Sequence, residues 1–90
     1  MKFLWVFNGE NSHFASAVFS SEELAVAWID KNQLSGTLTQ YIEDVPALDW
    51  AVQQGWFTPS KEHHTSAKFA QSFTSASQPH RHFKDGVADG

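Results

Sequence analysis

Five histidines are the residues of this chain best equipped for chemistry: His13, His63, His64, His80 and His82. A neutral imidazole ligates transition metals, and its proton exchanges near neutral pH. His80 and His82 stand two positions apart, which puts both on one face of a strand. His63 and His64 are adjacent, on a loop that could close over that strand. Three or four imidazoles hold zinc or copper, and Glu62 offers an oxygen ligand beside them. The chemistry this set points to is divalent-metal binding by His63, His64, His80 and His82, in a metal-binding protein or a metal-dependent enzyme. The plainer reading makes them surface histidines that hydrogen-bond nearby backbone, since their spacing follows no familiar ligand pattern.

Other catalytic constellations are not in evidence. Ser66, Ser72, Ser75 and Ser77 lie outside any nucleophile-elbow pattern and read as caps and turns. The acid pairs Glu22-Glu23 and Glu43-Asp44 sit where helices are expected to start, so capping accounts for them. The glycines are isolated, with no phosphate-cradling loop. Aromatic surface is the other resource: eight Phe, four Trp and one Tyr in 90 residues exceed the needs of a small core. Trp50, Trp56 and Phe57, around the end of a predicted helix, are the expected partner-binding residues.

The elements that must position these residues are organised around Phe19–Ile42. Ser20 is the expected N-cap of a helix, with Glu23 completing a capping box and Phe19 stapled to Leu24. Leu24 to Ile29 are all apolar, with Trp28 as the large anchor, and Asp30-Lys31-Asn32 closes the helix. Ahead of it, Lys2–Asn8 reads as a strand apolar on both faces, hence interior to a sheet. His13–Phe19 is its hairpin partner. Thr37–Ile42 follows the helix as a third strand, and a right-handed crossover gives the order 2-1-3.

In the second half, Asp44 is the expected cap of a helix with Val45 and Pro46 in its first turn and Leu48, Ala51 and Val52 inward. Gly55 supplies a left-handed C-terminus. Phe57–Lys61 reads as a linker. Thr65 or Ser66 caps a short helix carrying Phe69 and Phe73. His80–Phe83 adds a possible short strand, and residues 85–90 read as a frayed tail.

Length and charge bound the rest. Ninety residues make one domain, taken as 1–84. There is no cysteine, which suits a reducing compartment. The opening apolar run is too short for a signal peptide, and no run approaches a membrane span, so a cytoplasmic location and no membrane partner are expected. Residues 1–60 hold two lysines against seven acids, and residues 61–90 hold four bases against three. Such a body lacks the basic footprint of nucleic-acid binding, and no nucleic-acid partner is expected.

Several stretches together resemble a known family. They are Phe3-Leu4-Trp5-Val6-Phe7-Asn8-Gly9-Glu10-Asn11, Leu34-Ser35-Gly36-Thr37-Leu38-Thr39, Asp49-Trp50-Ala51, Lys61-Glu62-His63-His64 and Gln71-Ser72-Phe73-Thr74-Ser75-Ala76-Ser77-Gln78. Over nearly the whole chain they look like a family of small, uncharacterised, mostly bacterial proteins classed as a domain of unknown function. That resemblance implies no activity, cofactor or catalytic residue.

The expected architecture is α+β: a small, mainly antiparallel three-stranded sheet of order 2-1-3, opening ββαβ, with two to three helices. The expected function is a non-enzymatic protein-interaction or inhibitory module of the immunity-protein kind, acting on a protein partner or as a homodimer and needing no cofactor. The alternative is a protein that binds a divalent metal through its clustered histidines.

Overall fold

The computed structural model describes residues 1–89. Its contacts divide into two compact units, Met1–Glu43 with Gln78–Gly90, and Asp44–Ser77.

The first unit holds β1 (Phe3–Gly9), β2 (Ala15–Phe19), α1 (Glu22–Asn32), β3 (Gly36–Ile42), β4 (His80–Lys84) and β5 (Val87–Ala88). The strands form one antiparallel sheet in the order β2-β1-β3-β4-β5. The fold is therefore α+β with β1 interior, as expected, but the sheet has five strands and not three. Cross-strand register sets the faces. Phe7 opposes Leu38, Leu38 opposes Arg81, and Gly36 opposes Phe83. Phe7, Leu38 and Phe83 form the buried core with Ala25 and Ile29 of α1. Thr37, Thr39, His80 and His82, the alternate residues, stand on the opposite face. Burying Phe7, Ile29 and Leu38 contributes about 1.5–3 kcal/mol each. Trp28 anchors α1 as expected, its ring 5.6 Å from Phe7 and 5.5 Å from Phe19.

The cap of α1 falls one residue later than expected. Ser21 is extended and its hydroxyl accepts from the Leu24 amide at 3.2 Å. Adjacent serines offer the same capping chemistry. With Ser21 in that role Leu24, not Glu23, takes the third helical position, so the capping box does not form. Leu24 stays 58% exposed and makes no staple. Only Ala25 and Ile29 of the apolar run are buried, which leaves Val26 and Ala27 on the flank of the helix.

The two further strands come from the end of the chain: the short strand expected at His80–Phe83 is β4, and β5 follows it. Beyond Lys84, where fraying is expected, Asp85 and Gly86 take positive φ of 49° and 86°, the requirement of a type I′ hairpin turn. Val87 then pairs with Lys84 and Ala88 with Phe83, and the Asp89 amide donates to the His82 carbonyl at 2.7 Å. Gly90 lies outside the described residues. At the other end of β4, the Gln40 amide donates to the Pro79 carbonyl at 2.8 Å, and the Gln78 side-chain amide donates to the Gln40 carbonyl at 2.6 Å. Gln78 is buried, 3% exposed. Backbone pairing and one anchored glutamine thus specify a strand whose only buried apolar side chain is Phe83.

The second unit holds α2 (Ala47–Gln53), a 3₁₀ turn at Glu62–Thr65 and α3 (Ala67–Ser72). Asp44 does not cap α2. Its φ of 65° places it in a turn, and Pro46 precedes the first helical residue without a side-chain cap bond. An N-cap needs extended backbone, which that left-handed turn excludes. The end of α2 follows the expectation: Gly55 has φ 76°, its amide donates to Val52, and the Trp56 amide donates back to Ala51 at 2.9 Å. That is a Schellman motif, which favours glycine at the left-handed position. Ser66 caps α3, accepting from the Phe69 amide at 3.1 Å.

Candidate functional site

The histidine pairs occupy different units and do different work. In the second unit the 3₁₀ turn brings His64 back over the residues before it. Its Nδ1 accepts from the Ser60 amide at 3.1 Å and the Lys61 amide at 3.2 Å. An Nδ1 facing two donors must carry the lone pair, so the ring proton sits on Nε2. His64 also packs among rings: centroids lie 4.4 Å from His63, 4.8 Å from Phe69 and 5.0 Å from Phe57. Partial burial lowers its pKa below the ordinary histidine value, and the charges of His63 and Lys61 add to that. Its one lone pair is committed to the chain, so His64 serves as a side-chain cap and is unsuited to ligating a metal in that role.

In the first unit His80 and His82 project side by side from β4, their rings 5.1 Å apart and both exposed. His80 Nδ1 lies 2.7 Å from the Gln78 carbonyl. A carbonyl only accepts, so this nitrogen donates and the lone pair is on Nε2. His82 Nδ1 lies 3.4 Å from the Thr37 hydroxyl. His82 also lines a polar cleft of about 670 Å³ with Asn8, Glu10, Asn11, Lys84 and Asp89. Among the described residues, no group of three or more His, Cys, Asp or Glu side chains that could hold a metal ion forms. His63 with His64, and His80 with His82, are each brought together as a neighbouring pair. His13 lies exposed in the turn before β2.

Of the expected partner-binding residues, Phe57 is half-buried at the centre of the second unit, its ring 5.0 Å from His64, 5.6 Å from Phe69 and 5.3 Å from Phe73. Trp50 is half-buried as well, and Trp56 is 39% exposed.

A second recess lies along α1 and the β4–β5 hairpin, with a volume of about 620 Å³. Val26, Ala27, Phe83, Val87 and Ala88 give it apolar walls, and Glu22, Glu23 and Asp30 line it from α1. Arg81 reaches Glu22 at 3.7 Å, the one ion pair among the described residues. Val87 is 66% exposed on the last strand of the sheet. Two sequence signals bear on this groove. The run Leu24–Ile29 is apolar over a wider arc than one buried face requires, and Asp85-Gly86 is a short hairpin signal.

The model of a domain of unknown function, DUF7710, matches residues 4–89. The chain belongs to the DUF7710 family. The match covers the sheet, α1 and both histidine pairs, so all the features above are parts of a DUF7710 domain. The chain matches no curated protein and no solved structure. Among the described residues, no helix of this DUF7710 domain is long and apolar enough to cross a membrane.

Proposed function

We propose that this DUF7710 domain is a non-enzymatic interaction module that holds an extended segment of a protein partner in the groove along α1 and β5. The observation that carries the reading is the composition of that groove: apolar residues beside three carboxylates, of which Glu22 is paired with Arg81 and, among the described residues, Glu23 and Asp30 are not ion-paired. Val26, Phe83 and Ala88 suit an apolar side chain, and Glu23 and Asp30 suit lysine or arginine on either side of it. β5 is the outermost strand, and an edge strand offers its backbone to an added strand. The occupant this chemistry selects is an apolar segment flanked by basic residues, in a partner that meets the domain in the cytoplasm. An inhibitory, immunity-like module would use such a groove to cover a basic surface of its target.

A peptide-display selection against the purified protein tests this. Enriched peptides should place Lys or Arg beside apolar positions, and amide shifts on titration should map to Val26, Ala27, Phe83 and Val87. Ala88→Asp and Glu23→Lys should each abolish binding, and added salt should weaken it. Enrichment without a basic bias, shifts confined to other surfaces, or self-association of the chain through β5 with no peptide bound would overturn the reading.

A further inference from the structure

We infer that His80 and His82 form a two-imidazole site for a divalent first-row transition cation on the sheet face opposite α1. The β3–β4 register fixes both positions, pairing Thr37 with His82 and Thr39 with His80. Both rings are exposed and 5.1 Å apart. Metal–imidazole bonds of about 2.0–2.1 Å put two cis nitrogens roughly 3 Å from each other. Neighbouring rings at this separation reach that span by rotating their side chains.

The hydrogen bonds behind the rings supply what a ligating histidine needs. A metal-bound imidazole usually donates its other ring N–H to a carbonyl or carboxylate, which fixes the tautomer and raises the basicity of the ligating nitrogen. His80 Nδ1 does this toward the Gln78 carbonyl at 2.7 Å. That carbonyl is itself held, because the buried Gln78 side chain is tied to β3 through the Gln40 carbonyl. Thr37 stands behind His82 Nδ1 at 3.4 Å in the same position. The Nε2 of His80 is thereby left with its lone pair and no partner among the described residues, and the Thr37 hydroxyl, which both donates and accepts, accommodates the same tautomer in His82. Lys84 continues the same face of β4, and its cation opposes a metal ion there. Two protein ligands leave the remaining coordination positions to water or to a donor from another molecule. Copper(II) binds most tightly among such cations, following the usual order for nitrogen sites.

The test is a titration of the full chain with copper(II) chloride, followed by electron paramagnetic resonance. One copper per chain with two imidazole nitrogens is expected. His80→Ala and His82→Ala should each weaken it roughly a hundredfold, because the second imidazole otherwise binds intramolecularly. His64→Asn should leave it unchanged. A parallel zinc chloride titration of the unaltered protein should move the imidazole signals of His80 and His82 only. Copper affinity unaffected by the His80→Ala/His82→Ala double variant, copper held by the amino terminus alone, or zinc shifts centred on His63 and His64 would overturn the assignment.

Discussion

The two histidine pairs are alike in residue type and in closeness, 4.4 Å between the rings of His63 and His64 and 5.1 Å between those of His80 and His82. They differ in the direction of one hydrogen bond. His64 Nδ1 accepts from two backbone amides, so its lone pair is consumed by the fold. His80 Nδ1 donates to a backbone carbonyl, so its lone pair remains outward. The first arrangement makes an imidazole a cap inside an aromatic cluster, and the second leaves its Nε2 lone pair available for the ligand role proposed above. Proximity of histidines is therefore a poor guide to metal chemistry until the partner of the other ring nitrogen is known.

The contrast is broken most severely at Phe57, which touches His64, Phe69 and Phe73 at once. Phe57→Ala should cost about 2 kcal/mol, less than the roughly 3–5 kcal/mol of a fully buried ring. Hydrogen exchange should show residues 57–73 losing protection while β1 and β3 keep theirs. Equal loss in both units would mean that they unfold as one. His64→Ala should destabilise the same segment by less, and His64→Asn should recover most of the loss, because an amide oxygen can accept where Nδ1 did. Failure of asparagine to rescue would show that the ring contacts, and not the cap, are what His64 contributes.

A pH series sharpens the same point. The pKa of His64 is lowered in the folded state, so just below the ordinary value of about 6.5 the unfolded chain binds more protons than the folded one. The His64 contribution is complete above pH about 6.5 and is lost as the pH falls below it toward the folded-state value. The midpoint of thermal unfolding should decline over that window, and His64→Asn should flatten the decline; an unchanged slope in that variant would contradict the assignment. The smallest effects belong to β4. His82→Ala and Thr37→Val, both on the exposed face, should change stability by no more than about 0.5 kcal/mol in chemical denaturation. A larger loss from either would mean that this face is structural after all.

Much of the first unit is legible in the chain. Phe3–Phe7 is apolar on both faces and lies between β2 and β3, and Trp28 anchors α1 against Phe7 and Phe19. His80–Phe83 reads as a short strand and is β4, but β5 is hidden in what reads as a frayed tail, because hydrophobic periodicity is silent where backbone pairing does the specifying. Asp85-Gly86 announces the hairpin, but its effect depends on β4 already being a strand. In the second unit Gly55 and Ser66 act as read, whereas Asp44 does not, since its left-handed turn is decided by how the chain leaves β3. Of the candidate sites, sequence spacing brings His80 and His82 together. It could not tell which nitrogen of His64 the backbone would occupy. The groove is visible only as an excess of apolar residues on α1, because its other wall is the hairpin.

The most direct test is the imidazole ¹⁵N spectrum of the unaltered protein above pH 7, assigned with the single-histidine variants. His64 should appear with its proton on Nε2 and an unprotonated, hydrogen-bonded Nδ1, and His80 with its proton on Nδ1 and a free Nε2. The same proton position in both rings, or the reverse assignment, would contradict the division of the histidines into a structural cap and an open ligand pair.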